Sequence, residues 1–125
     1  MLRIRSYTEY RNGDLCWRPA PIERYDCLDM QAFQLLGGRP PLVPLRGLPE
    51  DLSPQLRSLA SRRDRRSGLG TSRHSYIFAA ELQQAGLGPE FAPTLQLYVQ
   101  HVLGPVADRY GGENVRFVYG FGQTR

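Results

Sequence analysis

Leu2, Ile4, Ser6, Thr8 and Tyr10 alternate with Arg3, Arg5, Tyr7 and Glu9, the two-residue period of a strand with one face turned inward. Asn12-Gly13 follows, and both residues tolerate the positive φ that a tight hairpin turn demands. Leu15-Cys16-Trp17-Arg18 then predicts a returning strand, stopped by Pro19 and Pro21. At the other end of the chain Val115, Phe117, Tyr119 and Phe121 alternate with Arg116, Val118 and Gly120, a final strand after the Gly111-Gly112 break.

Between these strands the spacing is helical. Asp29 is placed to cap a short helix carrying Met30, Ala32, Phe33, Leu35 and Leu36, with Gly37-Gly38 ending it. Four prolines between Arg39 and Pro49 predict an extended loop. Ser53 caps a second helix with Pro54 at its first position, where no amide is missed; Leu56, Leu59 and Ala60 form its buried side. Residues 62–70 read as a loop. Ser75 is expected to cap a third helix with Tyr76, Ala79, Ala80 and Leu82 inward. The longest helix spans Pro93 to Tyr110, with Leu95, Tyr98, Val99, Val102, Val106 and Tyr110 as one stripe. Gly104-Pro105 interrupts it, because Pro105 cannot donate to the carbonyl of His101; a kink or two half-helices are expected there. The fold class is therefore α+β: a small sheet from an N-terminal β-hairpin and a C-terminal strand, with about four helices packed on one face.

Length and composition agree with one domain over residues 1–125. A chain of 125 residues buries roughly 65% of its unfolded surface without metal or disulfide. The 13 Gly and 10 Pro mean short elements and many irregular connections. No apolar run nears the roughly 20 residues of a membrane span, and Met1 to Arg5 lacks the apolar core of a secretory signal. Cys16 and Cys27 form no CxxC, so two reduced thiols in a cytoplasmic setting are the expectation.

Charge changes the picture more than composition does. All 16 basic residues are arginine, and each is a planar fork suited to phosphate or carboxylate. Arg57, Arg62, Arg63, Arg65, Arg66 and Arg73 face only Asp64 between residues 57 and 74, so the whole excess of the +4 chain lies in that connection. With His74 at its end it is the first binding candidate, although such runs also serve simply as solvated loops. A second candidate is the sheet face opposite Leu2 and Ile4, where Arg3, Arg5, Tyr7 and Arg116 would lie. Arginine and tyrosine on an open sheet can hold phosphates and stack bases; no RNP-like motif accompanies them.

Catalytic patterns are sparse. His74 lies between Ser72 and Ser75, yet adjacency does not set a nucleophile against a base, and there is no GxSxG elbow. Zinc on Cys16, Cys27, His74 and His101 matches no known ligand spacing. Glu50-Asp51 suits the positive end of a helix, and Gly68-Leu69-Gly70 lacks the rest of a P-loop. No cofactor, metal or catalytic residue is expected.

Glu9-Tyr10-Arg11 with the hairpin and Trp17, Ala32 to Gly38, Arg46 to Pro54, His74-Ser75-Tyr76, Ala80-Glu81-Leu82 and Glu113 to Val118 follow one another across nearly the whole chain. In this order they resemble a family of small proteins from tailed bacteriophages and prophages whose function is not settled. The family pattern has Asp-Ile-His near the start, His-Ser-His-Ser-Trp in the middle and Phe-Asp-Asn near the end. This chain has Arg3-Ile4-Arg5, Ser72-Arg73-His74-Ser75-Tyr76 and Phe121-Gly122-Gln123 instead, keeping only His74 of those acids and histidines. The resemblance implies a phage accessory protein in the host cytoplasm. Joined to the charge pattern, it predicts a non-catalytic, anti-defence-type inhibitor that binds an acidic surface of a host defence or nucleic-acid-processing protein through the Arg-rich loop. The alternatives are sequence-tolerant binding of DNA or RNA and a small metal-dependent hydrolase centred on His74.

Overall fold

The computed structural model describes residues 2–13, 16–22, 25, 30–37, 46–61, 73–85 and 93–123. The chain runs β1 (Leu2–Tyr10), β2 (Arg18–Pro19), α1 (Met30–Gly37), α2 (Pro54–Ser61), β3 (Arg73–Phe78), α3 (Ala79–Gln84), α4 (Pro93–Tyr98), a π-helical turn (Val99–Leu103), α5 (Gly104–Tyr110) and β4 (Val115–Gln123). The four strands form one antiparallel sheet in the order β2-β1-β4-β3. This is the α+β architecture that the alternating ends and helical middle predict.

β4 is central because it is apolar or neutralised on both faces. Every residue from Val115 to Phe121 is buried. Val115, Phe117, Tyr119 and Phe121 join Ile4, Ile77, Leu36, Leu95, Leu103 and Ala107 in the main core. Ser6 and Thr8 share this face, and both are used. Ser6 Oγ donates to the Tyr25 carbonyl at 2.7 Å and accepts from the Tyr25 amide at 2.8 Å, while Thr8 bonds the Tyr98 hydroxyl at 3.2 Å. Two polar side chains on a core face thereby dock one loop residue and one helix residue, and both buried hydroxyls are satisfied.

Three local expectations change. Residues 73–78 are a strand, so Ser75 is not a helix cap. Ser75 and Ile77 are buried while His74, Tyr76 and Phe78 are half-buried, the alternation of period two. The helix begins at Ala79 instead, where Glu81 Oε1 accepts the Phe78 amide at 3.0 Å. The returning hairpin strand pairs with β1 only at Arg18 and Pro19; Gly13 has the positive φ of a turn, +63°, and Leu15 lies outside the described residues. Finally, the helices do not all share one face. Leu52 and Leu56 pack on Val118, with Tyr7, Leu48 and Tyr76 around them, so α2 covers the side of the sheet away from the main core.

Pro105 has the expected effect in a specific form. The Gly104 amide reaches back five residues to the Val99 carbonyl, and the chain passes through a π turn before α5. A π turn contains one extra residue, which advances the helical phase by about a quarter turn. Leu103 and Ala107 consequently take the buried positions, whereas Val102 and Val106 from the predicted stripe are only partly buried. Ser53 caps α2 as predicted, its Oγ accepting the Leu56 amide at 3.4 Å. Asp29 lies outside the described residues.

Gly112 lies hard against α3: a Cβ there would fall 2.9 Å from the Ala80 Cβ and 3.0 Å from its backbone. Gly112→Ala should therefore lower stability by about 1–3 kcal/mol through overpacking. Urea denaturation of the two proteins measures it, and an unchanged midpoint would mean that α3 moves away freely.

Candidate functional site

The sheet register sorts the face opposite the main core into rows. Glu9, Arg116 and Phe78 form one; Tyr7, Val118 and Tyr76 the next; Arg5, Gly120 and His74 the third; beyond them Arg3 pairs with Gly122 in backbone register. The two ends of this face have different chemistry.

At the first row, charge is locked inside the fold. Arg116, one of the open-face candidates, is 2% exposed and Glu9 is fully buried. Arg116 Nε donates to Glu9 Oε1 at 2.7 Å, Nη1 to Asp51 Oδ1 at 2.7 Å and Nη2 to the Asp51 carbonyl at 3.2 Å. Glu9 Oε2 accepts the Ser53 amide at 2.9 Å, and Asp51 Oδ2 accepts Trp17 Nε1 at 3.0 Å. The Arg116 guanidinium lies 4.0 Å from the Trp17 ring centre, and that of Arg11 lies 4.6 Å away. Each Arg116 nitrogen has a partner, so this buried residue joins β1, β4, the turn before α2 and Trp17 instead of facing an open surface. The two-residue period correctly separates Arg116 from the main core. It does not reveal that α2 and Trp17 close over the other side.

The same covering alters the base-stacking candidate. Tyr7 and Tyr76 pack on the Leu52–Leu56–Val118 cluster instead of presenting an open platform. What remains accessible is the far end. Arg5 and His74 flank Gly120 and both are half-buried, and Gly120 places no side chain between them. Arg73 opens β3 in register with Phe121, a position of the core-facing row and not of the Arg5–His74 row. Arg57, at the start of that connection, is exposed on α2 with its Nη2 on the Glu50 carbonyl at 2.7 Å. Arg62, Arg63, Arg65 and Arg66 lie outside the described residues.

Chemistry centred on His74 finds no partner in Ser75. Successive strand residues point to opposite faces, and Ser75 is fully buried on the core side, where its Oγ accepts the Arg46 amide at 3.0 Å. Tyr119 lies beside it: burial pushes its hydroxyl above the ordinary tyrosine range, with the Ser75 hydrogen bond opposing in part. It remains a neutral donor, to the Leu36 carbonyl at 3.3 Å. Among the described residues no three His, Cys, Asp or Glu side chains are grouped to hold a metal ion. Cys16 is an exposed free thiol, Cys27 lies outside the described residues, and His101 is exposed on the π turn. Among the described residues no helix is long and apolar enough to cross a membrane.

Glu9, Asp51 and Trp17 are the members of the charge clamp that sequence reasoning left without this role. The signal available was a carboxylate inside a strand pattern; its partners lie 44 and 107 positions away, beyond any local rule.

Removing one partner of a buried pair strands the other, so Arg116→Ala should cost about 3–5 kcal/mol, measurable by chemical denaturation. Asp51 behaves differently because its side chain is 63% exposed. Desolvation pushes its carboxyl up, but the hydrogen bond and charge of Arg116, with hydrogen bonds from its own backbone amide and Trp17, together hold it below the ordinary aspartate value. A depressed folded-state pKa gives stability that is present above the unfolded value, about 3.9, and is lost as pH falls through the folded one. Asp51→Asn should cost under about 1 kcal/mol at neutral pH and flatten the acid limb of the stability curve; an unchanged acid limb would remove Asp51 from the pH dependence. No protein-family model, curated protein or solved structure matches the chain.

Proposed function

We propose that this chain is a phage or prophage accessory protein that acts stoichiometrically in the host cytoplasm, binding an acidic surface of a host defence or nucleic-acid-processing protein and inhibiting it. The observation that supports the contact surface is that Arg5 and His74, remote in sequence, share one row across Gly120, at the end of β3 that the Arg-rich connection precedes in the chain. The Glu9 and Asp51 carboxylates are engaged with Arg116 two rows away, so they do not neutralise this end. The arginines of the connection are planar forks, and such groups offer bidentate donors suited to carboxylates on a partner.

Between a protein partner and a nucleic acid, the covered tyrosines favour the protein. Base stacking needs exposed aromatic faces, and Tyr7 and Tyr76 are packed beneath α2. A catalytic role has less support still, given the opposed directions of His74 and Ser75.

The test is efficiency of plating of a defence-sensitive phage on cells that carry the matching anti-phage system and express the chain. Wild type should restore plating, and Arg62, Arg63, Arg65 and Arg66 changed together to Ala should abolish the rescue without altering the circular dichroism spectrum. Full rescue by the quadruple variant would sink the contact surface, and absence of rescue by wild type against a broad panel of systems would sink the inhibitor reading. Titration of labelled DNA and RNA at two salt concentrations separates the partner classes. Salt-steep binding lost in the variant would transfer the surface to nucleic acid.

A further inference from the structure

Among the described residues the strand order leaves β2 and β3 at the two edges of the sheet. β2 is two residues long and ends in Pro19, so it offers almost no ladder to an incoming strand. β3 is longer, Arg73–Phe78, and its outward backbone groups can be identified. The Arg11 amide donates to the Asn114 carbonyl at 2.9 Å, which makes the odd residues of β1 and the even residues of β4 the hydrogen-bonded pairs. The odd residues of β4 then turn toward β3, and the odd residues of β3 toward β4. Tyr76 and Phe78 must therefore point their amides and carbonyls away from the sheet.

Two of those outward groups are occupied by one ion pair. The Tyr76 carbonyl accepts Arg46 Nη1 at 3.2 Å, and the Phe78 amide donates to Glu81 Oε1 at 3.0 Å. Arg46 and Glu81 meet fork to fork, with Nη1 to Oε1 at 2.7 Å and Nη2 to Oε2 alongside. The Arg46 amide also bonds Ser75 Oγ, and its guanidinium lies 5.3 Å from the Tyr76 ring centre. The pair is only partly shielded, with the two side chains 27% and 31% exposed. Such a pair contributes little to stability, which leaves its position along the edge as its distinguishing property. The Arg46 hydrogen bond holds the Glu81 carboxyl below the ordinary glutamate range, against an upward push from burial, so the pair stays charged well into acid.

We propose that Arg46 and Glu81 form an edge guard, and that without it β3 pairs antiparallel with β3 of a second copy of this chain. The strand suits self-pairing centred on Tyr76. That register sets Tyr76 opposite Tyr76 and His74 opposite Phe78, aromatic cross-strand pairs with no like charges opposed. The inference is independent of the proposed partner surface, because Arg46→Met leaves Arg5, Arg57 and the 62–73 connection unchanged.

Sedimentation velocity over a concentration series, with amide hydrogen exchange on the same samples, tests it. Arg46→Met frees the Tyr76 carbonyl but leaves Glu81 on the Phe78 amide, so the start of α3 stays capped. Glu81→Gln keeps an acceptor for that amide and gives up the charge. Both variants should dimerise at least about tenfold more tightly than wild type, Arg46→Met the more strongly, and the Tyr76 amide should exchange more slowly in the dimer. Folded variants that stay as monomeric as wild type overturn the proposal, as do dimers whose Tyr76 amide exchanges at the monomer rate. Should one variant fail to fold, the other decides by the same readings; failure of both would make the pair a stabilising element and overturn the guard.

Discussion

A guanidinium without access to water costs several kcal/mol unless its charge and all its donors are met. Arg116, on the central strand, forces that condition on its surroundings. Glu9 from the neighbouring strand supplies the opposing charge, Asp51 supplies a second carboxylate and a carbonyl, and Trp17 supplies an aromatic ring. Glu9 in turn takes the Ser53 amide, placing the start of α2 over Val118. The helix therefore lies on the second face through a hydrogen bond to a buried carboxylate as well as through Leu52 and Leu56. A hydrophobic substitute for the ion pair would pack, but it would not fix the turn from Glu50 to Ser53 in the same way.

This clamp also determines which parts of the surface can bind anything. It has two carboxylates for one guanidinium, and Arg46 and Glu81 cancel each other. Glu9, Asp51 and Glu81 are thus engaged within the fold. The chain keeps an excess of +4 overall, and removing a clamp of net −1 leaves the rest more basic still. Arg5 and His74 share a row at the end of the sheet away from the clamp, so the clamp's carboxylates and that row occupy opposite ends of one face.

Strands with a clean two-residue period were readable from the sequence, and so was the long helix broken near Pro105. What could not be read is how elements meet. Ser75 looked like a cap because Tyr76, Ala79, Ala80 and Leu82 fit helical spacing; the competing alternation of Ser75 and Ile77 against His74, Tyr76 and Phe78 became decisive once β4 stood beside it. Arg116 was assigned to the correct face, but alternation says nothing about whether a face is wet. Trp17 and Glu9 were each visible as sequence features, while their meeting with Arg116 and Asp51 depends on register and on where α2 docks. The row of Arg5, Gly120 and His74 depends likewise on three strands brought together from separate parts of the chain.

Arginine performs distinct tasks here that a lysine could not match. Arg116 satisfies two carboxylates and a carbonyl at once while lying over Trp17; a compact ammonium with three donors lacks the planar surface for that stack. Arg46 spans a carboxylate and a strand carbonyl with one fork. In both places the flat group is held between a backbone, a carboxylate and an aromatic ring. The two sites share no local sequence, so the arrangement follows from the shape of the guanidinium and not from a common motif.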